Sequence, residues 1–278
     1  MTKHVVIFNP VARGEKSRRA QRFLERLRGP TVDVRVTRAP GEAGRLAAAA
    51  QAEGATAIIA AGGDGTLNEI VNGIAPSDVP VGLLPLGTAN VFARELGLPL
   101  RLPAAWQCIQ QGRTRRVDLG FVEFNSQRRY FVQLAGIGFD AAAVRAARWE
   151  QKKQLGPLAY VLAGLRVLRQ TPCPPAILVG NGRYYGGPFR VFPHAQLTDG
   201  KLDICICERP GLPLVWAVLA GRHLQRPDVR YFQTDSFTHD GQLWVEVDGE
   251  LAGTTPVRLG VLPRGLCVIA PGDTPHVS

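Results

Sequence analysis

Residues 60–70, Ala60-Ala61-Gly62-Gly63-Asp64-Gly65-Thr66-Leu67-Asn68-Glu69-Ile70, hold three glycines in four positions with an acid among them. An apolar run precedes the glycines and a helical pattern follows. Such a turn leaves backbone N–H groups open, the helix dipole favours negative charge, and the missing Cβ atoms let an anion approach. Asp64 is the awkward member, because a carboxylate repels phosphate unless a cation bridges the two. The residues therefore predict a nucleotide phosphate held with Mg²⁺. The spacing matches neither the Walker lysine loop nor the dinucleotide fingerprint. A plain tight turn is the simpler alternative, but it requires neither Asp64 nor the Thr66-Leu67-Asn68-Glu69 that follows.

Pro85-Leu86-Gly87-Thr88-Ala89-Asn90 is a second glycine turn. Thr88 could cap the next helix or donate to a phosphate. Two such turns on one sheet edge would bracket a nucleotide. Later in the chain, Thr198-Asp199-Gly200 and Asp248-Gly249-Glu250 read on their own as hairpin turns that carry acids.

These turns need a scaffold. Residues 4–8, 32–37, 56–61 and 81–84 are apolar runs of strand length. Helical spacing follows them over 14–28, 42–53 and 66–72, and from Asn90 to Leu96. Strands without polar alternation, each followed by a helix, mean a parallel sheet covered on both faces. Ligands of such sheets bind beyond the carboxyl ends of the strands. Asn9, the two glycine turns and Thr37 lie at those ends. After about Arg116 the pattern changes to short pieces over 117–124, 129–135, 175–180, 183–187, 202–207, 243–247 and 257–259. Turn signals separate them, as in an antiparallel sandwich or barrel, and a helical stretch over 140–170 interrupts them. The expected fold class is an α/β N-terminal domain with a parallel sheet plus a β-sandwich-like C-terminal domain. The expected domains are 1–118 for nucleotide binding, with residues 267–278 packing back on it, and 119–266 for the acceptor.

The chain of 278 residues is 45% hydrophobic and 20% charged, an ordinary globular composition. Its net charge of +10 suggests an anionic partner such as a phosphorylated ligand, nucleic acid or an anionic membrane surface. Aromatic residues are few and the basic ones form no binding motif, which argues against nucleic acid. Five cysteines without a C-x-x-C pair are no disulfide framework and fit a reducing compartment. Met1-Thr2-Lys3-His4 enters a strand at once, without a signal sequence. The nearest approach to a membrane-length apolar run, residues 211–221, is about half of what a span needs. A cytoplasmic location follows as the expectation.

Gly-Gly-Asp-Gly-Thr-Leu-Asn-Glu followed by Leu-Pro-Leu-Gly-Thr-Ala-Asn-Val-Phe-Ala-Arg resembles the diacylglycerol kinase catalytic domain superfamily, which includes sphingosine and ceramide kinases and is related to the NAD kinases. The chain looks most like the compact bacterial lipid kinases of this group. The resemblance continues through Ile7-Phe8-Asn9-Pro10, Val117-Asp118-Leu119-Gly120, Gly136-Ile137-Gly138-Phe139-Asp140, Leu197-Thr198-Asp199-Gly200-Lys201-Leu202-Asp203 and Val247-Asp248-Gly249-Glu250. It implies an NAD-kinase-like N-terminal domain and phosphoryl transfer from ATP to a lipid hydroxyl. It implies nucleotide contacts at Asn9, Thr37, Gly63, Asp64, Gly65, Thr66, Leu67, Asn68, Glu69 and Thr88. It implies a Mg²⁺ site at Asp199 with the carbonyls of Gln196 and Lys201; all-oxygen ligation suits a hard cation. The family's general base lies in the Asp-Gly-Glu turn, so Glu250 is the first candidate and Asp248 the second or a charge partner. Asp118 is expected to join Asp64 and Asp199 in an acidic network around Mg²⁺.

Residues 145–170 carry Arg145, Arg148, Lys152, Lys153, Arg166 and Arg169 against only Glu150, together with Trp149. A basic amphipathic stretch of this kind could lie on an anionic bilayer, giving peripheral association with the inner membrane face. A helix packed on the sandwich with a solvated basic face is the alternative. Two other functions stay open: an NAD kinase-like enzyme with a soluble acceptor, and a non-catalytic nucleotide or anionic-lipid sensor. The identity of the lipid and the oligomeric state, a homodimer included, are not written in the sequence.

Overall fold

The computed structural model describes residues 3–10, 15–125, 127–147, 163–169 and 173–272. The chain divides into two units, one made of the residues up to Val117 and the segment from Arg264, the other running from Asp118 to Pro263.

In the first unit, β1 (His4–Phe8), β2 (Val32–Val36), β3 (Ala57–Gly62) and β4 (Ser77–Pro85) form a parallel sheet in the order β2-β1-β3-β4. The C-terminal half of β16 (Val257–Ile269) continues it, parallel to β4, with Leu266 opposite Ser77 and Val268 opposite Val81. Every residue of β3 is buried, which is why its apolar run shows no alternation. One face is covered by α1 (Glu15–Leu27) and α5 (Leu102–Gln111), whose Ala20, Leu24, Trp106 and Ile109 pack on Val6, Phe8, Ile59 and Leu84. The helices α2 (Glu42–Ala52) and α3 (Asp64–Ile74) pack on each other and on β1 and β3. Ala43, Ala47 and Ala50 form the buried stripe of α2, at helical spacing. A short α4 (Val91–Glu95) follows the second glycine turn. Helix α5 adds an element that the expected alternation of strand and helix does not contain.

The second unit is antiparallel. β7 (Leu134–Gly138), β8 (Ala176–Gly180), β11 (Leu202–Cys207), β12 (Val229–Thr234), β14 (Trp244–Val247) and β15 (Glu250–Thr254) form a sheet in the order β12-β11-β8-β7-β14-β15. Its inner face packs on strands from β5 (Thr114–Phe124), β6 (Gln127–Phe131) and the start of β16, around Val122, Phe131, Ile137, Val179, Ile204, Val247 and Leu259. Antiparallel sheets joined through alternating inward residues make a sandwich. Phe139–Ala146 forms α6 on the outer face, and Leu212–Leu219 forms a further helix, α7. The strands β9 (Tyr184–Tyr185) and β10 (Phe189–Arg190) pair as a small hairpin, and β13 (Ser236–His239) pairs with β16. The expected strand over 129–135 is two strands, β6 and β7, and the stretch at 257–259 is the start of the 13-residue β16. The chain thus adopts the expected fold class, an α/β unit with a mostly parallel sheet and an antiparallel sandwich-like unit. Most of the basic stretch over 145–170, namely 148–162 and 170, lies outside the described residues.

Candidate active site

The first glycine turn is set by the end of β3 and the start of α3. Gly63 stands extended at the N-cap, and the first backbone bond inside the helix runs from Leu67 N–H to the Gly63 carbonyl, 3.2 Å. The N–H groups of Gly65 and Thr66 precede that bond and have no acceptor in the helix. The second glycine turn is pulled against the first. Leu86 and Gly87 N–H both donate to the Gly62 carbonyl, at 2.8 and 3.3 Å. A Cβ on Gly87 would fall 2.6 Å from the Gly63 Cα, and one on Gly63 would fall 3.1 Å from the Gly87 Cα. The two glycine turns are therefore in direct backbone contact with each other.

Asp64 points across to the second turn, where its Oδ1 accepts the Phe92 N–H at 3.2 Å. Burial pushes its carboxyl above the ordinary range, while the N–H groups around Asn90, Val91 and Phe92 pull it back down. Its place among glycines has a local reason: it secures the start of α4. Asn90, in left-handed conformation, holds the N-cap and donates from Nδ2 to the Gly87 carbonyl at 2.9 Å. The capping role expected of Thr88 is thus taken by Asp64, since the Asn90 side chain makes no cap bond, and Thr88 is exposed. Thr88 sits two residues before the N-cap, outside the position from which a hydroxyl reaches the first turn.

Asn9, just after β1, donates from Nδ2 to the buried Thr66 hydroxyl at 3.1 Å. Thr37, just after β2, is buried and bonded through N–H to the Phe8 carbonyl at 2.9 Å. Leu67 is a core residue and Asn68 is buried. Glu69 accepts the Ala43 N–H at 3.0 Å and so ties α3 to the first turn of α2. Asn9, Gly63, Gly65, Thr66 and Thr88 thus lie at the carboxyl ends of β1, β3 and β4, whereas Leu67, Asn68 and Glu69 are directed into the fold.

In the second unit Asp118 is almost fully buried, and its Oδ2 accepts the Gly200 N–H at 2.7 Å. Asp118 N–H donates to the Leu197 carbonyl at 2.7 Å, and Asn181 Nδ2 donates to the Asp118 carbonyl at 3.0 Å. Asp118 therefore holds the Thr198-Asp199-Gly200 turn from both sides. Asp199 Oδ1 accepts the Lys201 N–H at 3.0 Å, and Gln196 and Lys201 are exposed. The negative charge of Asp199 contributes to raising the carboxyl of Asp203, after burial as the first cause. Among the described residues no group of three or more His, Cys, Asp or Glu side chains is arranged to hold a metal. A cation here would rest on one carboxylate and on backbone carbonyls, a donor set that fits a hard, oxygen-seeking ion.

The Asp248-Gly249 pair closes the β14–β15 hairpin, with Val247 opposite Glu250. Both turn residues have positive φ, 46° and 86°, the two-residue turn that matches strand twist. Asp248 does not face outward. Its Oδ2 accepts the Val132 N–H at 2.9 Å, and its Oδ1 accepts those of Gln133 and Leu134 at 3.1 Å each. Glu250 is left at the first position of β15, half exposed, with Oε2 bonded to Arg129 Nη2 at 2.8 Å. Arg129 also donates to the Leu251 carbonyl at 3.1 Å.

A second acid pair lies just inside this turn. Glu246 Oε2 accepts the Gly249 N–H at 2.7 Å, and its buried Oε1 has no partner among the hydrogen bonds. Asp140 from α6 stands opposite: a Cβ on Gly136 would meet Asp140 Oδ2 at 2.5 Å and Glu246 Oε1 at 2.8 Å. Burial, then the Asp140 charge, pushes the Glu246 carboxyl well above its usual range. Burial raises the Asp140 carboxyl as well, against the lowering effect of its hydrogen bonds to Glu246 and Tyr185. Tyr185 donates its hydroxyl to Asp140. Sequence reasoning missed Arg129, Glu246 and the function of Asp140. Glu246 had a signal, a charge inside the otherwise apolar run Trp244-Val245-Glu246-Val247. Arg129, 121 residues from Glu250, had none.

The model of the diacylglycerol kinase catalytic domain matches residues 3–122. That of the YegS C-terminal NAD kinase beta sandwich-like domain matches residues 169–270. A diacylglycerol kinase of Staphylococcus aureus strain MRSA252 is 31% identical over 96% of this chain and 92% of its own length. An uncharacterised protein of Synechocystis is 30% identical over 96% of this chain and 70% of its own. The crystal structure of a diacylglycerol kinase from Bacillus anthracis superposes with a TM-score of 0.77, covering 99% of this chain and 98% of that one, at 24% identity, and so shares the fold. The chain belongs to the diacylglycerol kinase catalytic domain family, and its enzyme class is that of the family, a lipid kinase using ATP.

Proposed function

We propose that this chain transfers the γ-phosphoryl group of ATP to the hydroxyl of a membrane lipid, of diacylglycerol-like, sphingoid or ceramide-like class, and so supplies a step of phospholipid synthesis at the cytoplasmic face of the membrane. The first unit binds the nucleotide and the second the lipid. The observation that carries the reading is the Asp248-Gly249 turn, which engages one carboxylate in three N–H bonds and leaves the next acid, Glu250, at a strand start.

Glu250 takes the proton of the acceptor hydroxyl as its oxygen bonds to the γ-phosphorus, and ADP leaves with the β–γ bridging oxygen. Arg129 orients the Glu250 carboxylate through its bond to Oε2 and leaves Oε1 for the hydroxyl. Asp248 holds the turn, and Glu246, bonded to Gly249, braces it from inside. Asn9, Thr37, Thr88 and the segment from Gly63 to Glu69 form the nucleotide side, with the open N–H groups of Gly65 and Thr66 directed at phosphate. Asp64 contributes by fixing the second turn. Mg²⁺, held by Asp199 with the carbonyls of Gln196 and Lys201, would neutralise charge near the phosphates. Among the described residues no helix is long and apolar enough to cross a membrane; the net charge of +10 supports peripheral association with an anionic bilayer as the way the lipid is met.

The test is transfer of label from γ-labelled ATP to a panel of lipid alcohols in mixed micelles, with NAD as a soluble acceptor in parallel. Label in a lipid, dependent on micelle surface, supports the reading. Label only in NAD supports the NAD kinase-like alternative, and ATP unconsumed with every acceptor supports a non-catalytic sensor.

A further inference from the structure

Helix α7 is apolar on every side: Leu212-Pro213-Leu214-Val215-Trp216-Ala217-Val218-Leu219 contains no charged or hydrogen-bonding side chain besides the indole N–H of Trp216. A helix of that composition belongs in a core or in lipid. Its inner side does reach a core, where Val218 packs with Leu134, Phe192 and Cys205. Its outer side does not. Trp216 is 69% exposed, Leu212 51%, Leu219 49% and Val215 43%, and these four recur at helical spacing on one face. The neighbouring β10 adds the exposed Phe189. At eight residues the helix is far too short to cross a bilayer.

The charges beside the face are positive. Arg209 precedes the helix and Arg222 follows it, both exposed, and among the described residues neither has a carboxylate partner. The acids nearest in the chain are already engaged, Glu208 with Arg230 and Asp228 with Arg226. We propose that the exposed face of α7, flanked by Arg209 and Arg222, is the surface through which the enzyme seats itself on an anionic bilayer, with Trp216 inserted at the level of the headgroups. An apolar stripe with an indole and basic ends is the chemistry of an interfacial helix. A second copy of the chain fits less well, because a two-fold pairing of this helix would bring arginine against arginine. The proposal rests on the reading of the acceptor as a membrane lipid.

The test is sedimentation with vesicles of equal parts phosphatidylcholine and phosphatidylglycerol, and with vesicles of phosphatidylcholine alone, for the wild type and for Trp216→Ser. The wild type is expected to bind the anionic vesicles, with a blue shift of Trp emission that Trp216→Phe removes. Trp216→Ser should weaken binding about tenfold, and Arg209→Glu or Arg222→Glu about fivefold each. Activity on a short-chain, water-soluble diacylglycerol should stay at the wild-type level in Trp216→Ser, while activity on vesicle-borne acceptor falls. Equal vesicle binding by wild type and Trp216→Ser would overturn the proposal. So would a Trp216→Ser variant that loses only a dimer in sedimentation velocity. Vesicle binding needs no turnover, so a wild type that binds vesicles through Trp216 yet labels no lipid would sink the kinase reading and leave the docking face standing.

Discussion

Gly63 and Gly87 lie so close that a Cβ on Gly87 would stand 2.6 Å from the Gly63 Cα and 2.8 Å from Asn90 Oδ1. The two glycine turns are therefore one object, closed by the Gly62 carbonyl, which accepts from both Leu86 and Gly87. Gly87→Ala must separate the turns, because the opposing atom is backbone. It should raise the KM for ATP at least about tenfold and cost about 1–3 kcal/mol of stability. Gly63→Ala, with 3.1 Å to its nearest neighbour, should be milder on both counts. ATP titrations and urea melts of the two variants check the ranking.

Asp248 accepts three backbone N–H groups, so its role is to hold the chain at Val132, Gln133 and Leu134. Asp248→Asn removes the charge and offers a single acceptor oxygen. The expected loss is about 2–3 kcal/mol in chemical denaturation, with kcat falling only as far as the turn loosens. A fully stable Asp248→Asn with abolished turnover would make Asp248 the base.

Arg129 and Glu250 are both partly exposed, so their ion pair contributes under about 1 kcal/mol to folding. Its value lies in orientation. Arg129→Met should leave the melting temperature and the KM for ATP near wild type and lower kcat about tenfold. Steady-state kinetics with ATP varied at saturating lipid separates these effects.

Glu246 gives a pH signature. Its folded carboxyl is raised above the ordinary value of 4.5, first by burial and then by Asp140. A raised carboxyl stabilises the fold fully below its unfolded pKa, and that contribution is lost as pH rises through the folded pKa. Unfolding free energy should therefore decline above about pH 4.5 by up to about 1.4 kcal/mol per pH unit. Glu246→Gln, which keeps an acceptor for Gly249 and a donor for Asp140, should flatten that decline. Denaturation series from pH 4 to pH 8, at roughly one-unit steps across the window, read the difference.

Much of the scaffold was legible because it obeys simple periodicity. β3 and β11 are buried at every position; β3 shows as an unbroken apolar run, and β11 as an apolar run broken only by Asp203. Helix α7 showed only as an apolar run over 211–221: with its outer face apolar, it has no polar side to reveal a helical period. The long β16 was legible over its first residues alone, since Pro263 and the positive φ of Arg264, 54°, interrupt its pattern. The glycine turns were legible by type and place. The partners of their acids were not, because Asp64 meets Phe92, and Asp248 meets residues 114–116 positions away, only once the sheets are assembled.

The most direct measurement is transfer of the γ-phosphate of labelled ATP to diacylglycerol in mixed micelles by the wild type and by Glu250→Ala, with ATP binding followed in both. The account predicts labelled lipid with the wild type, and with Glu250→Ala a loss of at least about a thousandfold at unchanged ATP affinity. Wild-type turnover in Glu250→Ala, or no labelled lipid from the wild type with any lipid alcohol, would contradict it.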